Sequence, residues 1–313
     1  MIYSIRHLSR FRYSNPISES MMELRMQPRN EGNQRCLSFD LSIGPRAKFL
    51  SYRDFAGNTV HHFDISGSHS QLAVTSQALV ELNHAHSLPE SLSSQAWNDL
   101  DALVKTSNQW EMLMSSPFVR TTDPLRKFAE EIDLRRRDDP LTVVKQIMRS
   151  IYEAFDYTPK STRVDSPIDE ALQGRRGVCQ DFAHIMIGLA RELGIPCRYV
   201  SGYLYHHSES HDRSSEGATH AWVEALLPGL GWTGFDPTNN LPAAERHIRV
   251  AIGRDYSDVP PTRGVFRGTA ESELSVAVRV ATSEARFPEE MIPATVTWST
   301  PISEDQSQQQ QQQ

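Results

Sequence analysis

After Cys179 the apolar residues Phe182, Met186, Leu189, Ala190 and Leu193 recur at steps of three and four, the repeat of one helix face. Gly194 and Pro196 end the pattern, so the spacing predicts a helix from about Cys179 to Leu193 with Cys179 on its first turn. The period changes at His220. There Ala221, Val223, Ala225 and Leu227 alternate with His220, Trp222, Glu224 and Leu226, which predicts a strand. Pro228, Gly229 and Gly231 make a turn, Trp232 to Phe235 return as a second strand, and Asp236 closes it before Pro237. Such a hairpin brings His220 and Asp236 to its open end.

Elsewhere the pattern predicts a change of architecture along the chain. Residues 1–85 carry short alternating runs, such as CLSFDLSIG and NTVHHFDIS, separated by Pro, Gly and Asn, which suggest a small β-sandwich. From about residue 90 the composition turns helical. Asp138 and Asp139 precede Pro140, and Leu141, Val144, Met148, Ile151 and Phe155 follow at helical spacing, as in a capped amphipathic helix. Alternation returns at Leu274, Val276, Val278 and Val280, and the chain ends in a Gln-rich run that cannot supply a core. The expected organisation is an N-terminal β-rich domain over 1–85, a helical lead-in over 86–160, a catalytic core over 161–300 and a disordered tail over 301–313. No internal repeat is visible.

Composition narrows the function classes. With 313 residues, of which 38% are hydrophobic and 23% charged, the chain can bury one large core or two smaller ones. A net charge of -7 argues against a nucleic-acid partner. No run reaches membrane-spanning length, and MIYSIRHLSRFRYS lacks the apolar stretch of a secretory signal, so a soluble cytoplasmic protein is expected. The 3 cysteines, at positions 36, 179 and 197, are too few for a disulfide framework. A reducing compartment would leave Cys179 free to react.

Cys179, His220 and Asp236 are the residues that carry chemistry. A neutral thiol is a poor nucleophile near pH 7 and needs activation. The free N–H groups and positive dipole end of a helix start favour a thiolate, and the same N–H groups can serve as oxyanion donors. A carboxylate at Asp236 can hold one imidazole nitrogen of His220 and aim the other at sulfur. Cys36 and Cys197 sit in apolar strand-like runs and read as packing. His206, His207 and His211 form a cluster only by count, in a polar loop, while His61, His62, His84 and His86 lack partners at ligand spacing. His184 reads as a structural hydrogen-bonding residue and Asp181 as a helix cap. Tyr157, Trp222 and Trp232 read as core aromatics, with a cleft wall as the alternative.

The segments GVCQDFAH, GIPCRYVSGYL, HAWVE, GWTGFDPTNN and GRDYSDVPPTRG together resemble the bacterial transglutaminase-like family, a branch of the papain-like superfamily. A weaker resemblance to that family's N-terminal β-rich domain runs through Tyr13, Leu24, Arg25, Pro28 and DFAGN. The resemblance implies an α+β fold with the nucleophile helix packed against an antiparallel sheet. It implies Cys179 as nucleophile, His220 as general base and Asp236 as orienting acid, with GRDYSDVPPTRG bordering the site. Animal-type relatives place Trp directly after the nucleophile, where this chain has Gln180, so hydrolysis is favoured over transfer to an amine. The expected substrate is a peptide or protein amide, with no metal or organic cofactor. Two other classes stay open: a noncatalytic peptide-binding module, and a metal site built from Cys179, His220 and Asp236.

Overall fold

Long alternating runs near the N-terminus become long paired strands in the structure, a computed structural model that describes residues 1–84, 87–207 and 210–283. Strands β1 (Ile2–Leu24), β2 (Gln34–Gly44), β3 (Phe49–Arg53) and β4 (Thr59–Leu82) are antiparallel neighbours. β1 and β4 pair along most of their length, with irregularities on either side of Ile17, while β2 and β3 pair with successive halves of β4. The sandwich-like module expected here takes the form of one continuous sheet.

Helices follow: α1 (Ala96–Thr106), α2 (Asp123–Glu131) and α3 (Pro140–Ala154). α3 starts where Asp139 accepts hydrogen bonds from the N–H groups of Leu141 (2.9 Å) and Thr142 (3.1 Å), with Pro140 in the first helical position. Two short parallel strands, β5 (Asp156–Tyr157) and β6 (Arg176–Gly177), flank α4 (Ile168–Gly174) and deliver the chain to α5 (Cys179–Glu192). Then come β7 (Cys197–Leu204), β8 (His220–Leu227), β9 (Gly231–Asp236), β10 (Leu241–Pro242) and β11 (His247–Gly253), in the sheet order β10-β9-β8-β7-β11.

The last two strands, β12 (Thr262–Arg267) and β13 (Ser272–Thr282), do not join this second sheet. They pair with the two halves of β1 and complete a six-stranded N-terminal sheet. Residues 262–282 therefore leave the core range of 161–300 in which their position in the chain had placed them. The reason is register: Leu274, Val276, Val278 and Val280 lie opposite Phe11, Ser9, His7 and Ile5, and this pairing spans more than 250 residues of chain. The Gln-rich tail and His86 lie outside the described residues.

Both faces of the five-stranded sheet are covered. On one, Ala221, Val223, Ala225 and Phe235 pack with Phe182, Ile185, Met186 and Leu189 of α5 and with Ile147 and Ile151 of α3. Toward the other, Tyr203, Ile248 and Val250 pack against Tyr3, Ile5, Val80 and Leu82 of the N-terminal sheet. Full burial of a large apolar side chain is worth about 1.5–3 kcal/mol, so this shared core fastens the two sheets together. As a result β7 and β8 are buried at every residue, and the polar half of the β8 alternation, His220 and Glu224, lies inside the protein. No helix among the described residues is long and apolar enough to cross a membrane.

Candidate active site

The helix that begins at Cys179 is set by two local devices. Asp181, in its first turn, accepts the N–H of Val178 (2.8 Å) and the hydroxyl of Thr162 (2.6 Å). A side chain on Gly177 would put its Cβ 2.8 Å from that carboxylate, so glycine there makes room for the cap. The first helical N–H is accepted only from Phe182 onward, to Val178 O (3.2 Å). Gln180 donates its side-chain amide to Val164 O (3.0 Å), tying the 158–167 loop to the helix start. Cys179 is half-buried, whereas burial raises Cys197 to about 12 and Cys36 to about 11.

His220 opens β8 and Asp236 ends β9, and the hairpin register, with Val223 opposite Phe235, brings the two together. His220 Nε2 lies 2.8 Å from Asp236 Oδ2, and both side chains are buried. Its other ring nitrogen, Nδ1, is buried and makes no conventional hydrogen bond among the described residues. Burial opposes charge on this imidazole, but the charge and hydrogen bond of Asp236, with a further contribution from Cys179, outweigh it and raise the proton affinity. Asp236 is held well below the usual carboxylate range, against its burial, by His220 and His247. The sequence-designated trio thus meets in one place: an acidic residue on one side of the imidazole and Cys179 near enough to influence it electrostatically.

The carboxylate has more partners than the sequence indicated. Oδ1 accepts the backbone N–H of Thr238 (2.9 Å) and Asn239 (3.3 Å), the turn that follows Pro237. Oδ2 also takes the Asn239 amide (2.8 Å) and His247 Nε2 (3.1 Å). Asn239 in turn accepts the backbone N–H of Arg213 at Oδ1 (2.8 Å), fastening the polar loop before β8 to the site. Sequence reasoning passed over Asn239 and His247. The former sits in the quoted GWTGFDPTNN segment, and the latter opens the alternation HIRVAIG as His220 opens its own strand, which was the available signal.

Aromatic residues complete the surroundings. Trp222 lies nearly parallel to His220 (centroids 6.1 Å, 27°) and edge-on to His247 (5.1 Å, 73°). Its bulk explains Gly202 across the sheet, where a Cβ would fall 2.6 Å from the indole and 2.1 Å from Ile248 O. Tyr157 is half-buried; burial and the nearby Cys179 raise its phenol, and Ser215 hydrogen-bonds it. Trp232 instead stacks on Arg198 (4.5 Å).

The other candidates are engaged in pairings of their own. His184, on α5, accepts the N–H of Tyr256 (3.2 Å) and stacks on Phe118 (5.4 Å, 3°); burial lowers it to about 4. The segment 253–264 makes that contact through Tyr256, its Asp255 accepts Phe118 N–H (2.7 Å), its Arg254 O accepts Arg191 of α5 (2.8 Å) and its Pro261 O accepts Arg25 N–H (2.9 Å), so it ties α5 and the 116–118 turn to the end of β1. His206 pairs with Asp212 (3.3 Å), His84 with Glu245 (2.7 Å), and His61 stacks on Phe39 (5.2 Å). Among the described residues the one group with metal-ligand proximity is His220, Asp236 and His247, whose ligand atoms lie within 4.8 Å of one another. Asp236 already accepts five hydrogen bonds, so hydrogen bonding alone accounts for this arrangement.

Residues 126–237 match the model of the transglutaminase-like superfamily, and residues 3–81 that of the bacterial transglutaminase-like N-terminal region. An uncharacterized protein of Mycobacterium leprae is 33% identical over 275 residues, spanning 88% of this chain and 96% of its own. A protein-glutamine gamma-glutamyltransferase of Pseudomonas aeruginosa is 31% identical over 153 residues, 46% of this chain but 23% of its own length. Among solved structures, a proposed cysteine protease from Cytophaga hutchinsonii shares the fold with a TM-score of 0.71, 21% identity and 92% coverage of each chain.

Proposed function

Because the chain belongs to the transglutaminase-like superfamily, we propose that it is a cysteine enzyme whose Cys179 attacks a carboxamide, peptide or isopeptide carbonyl. The observation that carries this reading is the asymmetry of His220: Nε2 is held by Asp236, while buried Nδ1 is left open with Cys179 nearby. His220 holds the thiol proton at Nδ1 in the resting site, and the sulfur of Cys179 adds to the carbonyl carbon. N–H groups of the first turn of α5 support the oxyanion. The imidazolium then returns the proton to the departing nitrogen as the C–N bond breaks, which leaves a thioester on Cys179 and releases ammonia or an amine. Water, activated by the neutral imidazole, hydrolyses the thioester to a carboxylic acid and restores the thiol. A reducing cytoplasmic setting suits such a thiol.

Hydrolysis is favoured because Gln180 occupies the place next to the nucleophile and directs its amide to Val164. Transfer to an amine is the second reading, favoured by the likeness to the Pseudomonas aeruginosa glutamyltransferase. The two separate when a glutamine-bearing peptide library is incubated with a tagged primary amine and both products are followed by mass. Acid product in excess at millimolar amine is expected. Amine adducts in excess would make the protein a transferase.

A further inference from the structure

Asp236 Oδ2 is shared. It receives His220 Nε2 at 2.8 Å and His247 Nε2 at 3.1 Å, both rings buried and 6.0 Å apart, with Trp222 beside both, stacked on the first and edge-on to the second. An ionised carboxylate only accepts hydrogen bonds, so each ring nitrogen that faces it carries hydrogen. His247 is fixed independently of the carboxylate: it begins β11, pairs with Leu204, and its backbone N–H is bound to Ala244 O (3.2 Å). The geometry therefore provides two imidazoles on one carboxylate, of which only His220 has a second nitrogen left open near Cys179.

We propose that His247 is a positioning residue of the catalytic site, a fourth member that donates to Asp236 and thereby limits how tightly the carboxylate holds the proton of His220. The inference rests on the reading of Cys179, His220 and Asp236 given above. His247 acts from its neutral form, since burial and the neighbouring charges of His220 and Arg246 oppose a second cation, although Asp236 favours one. Without its N–H, more of the carboxylate charge falls to His220, whose imidazolium then gives up its proton less readily to the leaving nitrogen. Turnover should drop while substrate affinity holds. Titratable groups facing the trio from the surrounding elements include Tyr157 from β5, Tyr199 from β7, His206 and Asp212 from the loop after β7, and Arg246 before β11.

The test is the pH dependence of Cys179 alkylation by iodoacetate in wild type, His247→Phe and His247→Gln, all in chelator. The anionic reagent is drawn to the imidazolium, so its rate falls on the alkaline side as His220 loses its proton. The expected result is an alkaline limb about one pH unit higher in His247→Phe, the scale of one hydrogen bond to a charged group, with the limb restored toward wild type in His247→Gln. With a substrate in hand, kcat of His247→Phe should fall roughly ten- to a hundredfold at unchanged KM. Histidine ¹⁵N NMR of the wild type, which needs no variant, should find His247 in the neutral Nε2–H tautomer while His220 titrates. An unmoved limb in a folded His247→Phe, an Nδ1–H tautomer at His247, or wild-type reactivity lost on adding chelator would overturn the inference. A wild type without preferential alkylation at Cys179 would instead overturn the underlying enzyme reading.

Discussion

Two buried charged clusters share strand β8, four residues apart on the same polar set of positions, and they are built to different ends. Glu224 is fully buried and closed on all sides: Arg198 donates to one oxygen (2.6 Å), Arg249 to the other, and Arg198 reaches on to Glu31 (2.8 Å) from the N-terminal region. His220 is equally buried, yet one ring nitrogen stays open. A buried charge with every partner in place can only hold the structure together, because any change in its pairing costs several kcal/mol. A buried charge pair with one open atom keeps a site for proton exchange. The comparison fits Glu224 to joining the sheets and His220 to the proton transfer proposed above.

The largest expected effects fall on turnover. Cys179→Ala should abolish it, His220→Ala should reduce it about 10²- to 10⁴-fold, and Asp236→Ala should cost less because it acts through His220. The combined losses should fall short of the product of the single ones. Substrate turnover per folded molecule checks all three, and normal turnover in Cys179→Ala would break the assignment. Glu224→Ala should show the opposite profile: a loss of about 3–5 kcal/mol in denaturant unfolding, with little change in alkylation of Cys179 in the molecules that remain folded. Should Glu224→Ala silence Cys179 without destabilising the fold, the contrast between the clusters would fail.

The smallest effect is on stability against pH. Burial lowers His7 and His184 to about 4, so below their ordinary value of about 6.5 the unfolded chain binds protons that the native state refuses. Stability should fall on acidification from about pH 6.5, by about 2 kcal/mol per histidine at pH 5. Asp236, held low in the fold, adds an acid-side loss only below about pH 4. His220 runs the other way. Its raised affinity contributes fully below about pH 6.5 and is lost as pH rises through its elevated native value. Thermal unfolding across pH should show this dome, and His184→Gln should flatten its acid side.

How much of this was legible follows the range of the contacts. The nucleophile helix and the His220–Asp236 hairpin rest on local period, caps and turns, and the structure has them at Cys179–Glu192, His220–Leu227 and Gly231–Asp236. Trp222 read as a core aromatic, and it is one, stacked against His220. His247 was not legible as a partner of Asp236, because its position depends on β11 crossing to the far side of β7. The same holds for Glu224, whose arginines come from β7 and β11 and whose outer partner Glu31 lies 167 residues from Arg198. Strands 262–282 were assigned to the nearer unit for want of any local sign that they return to β1.

The central claim, that Cys179 forms a covalent acyl intermediate, is tested most directly by intact-protein mass after brief incubation with glutamine-bearing peptides. The account predicts an adduct equal to the peptide acyl group, mapped to Cys179, removed by hydroxylamine as a thioester and missing in Cys179→Ala. Turnover of the same peptides with no adduct at Cys179, or with an unchanged adduct in Cys179→Ala, would contradict it.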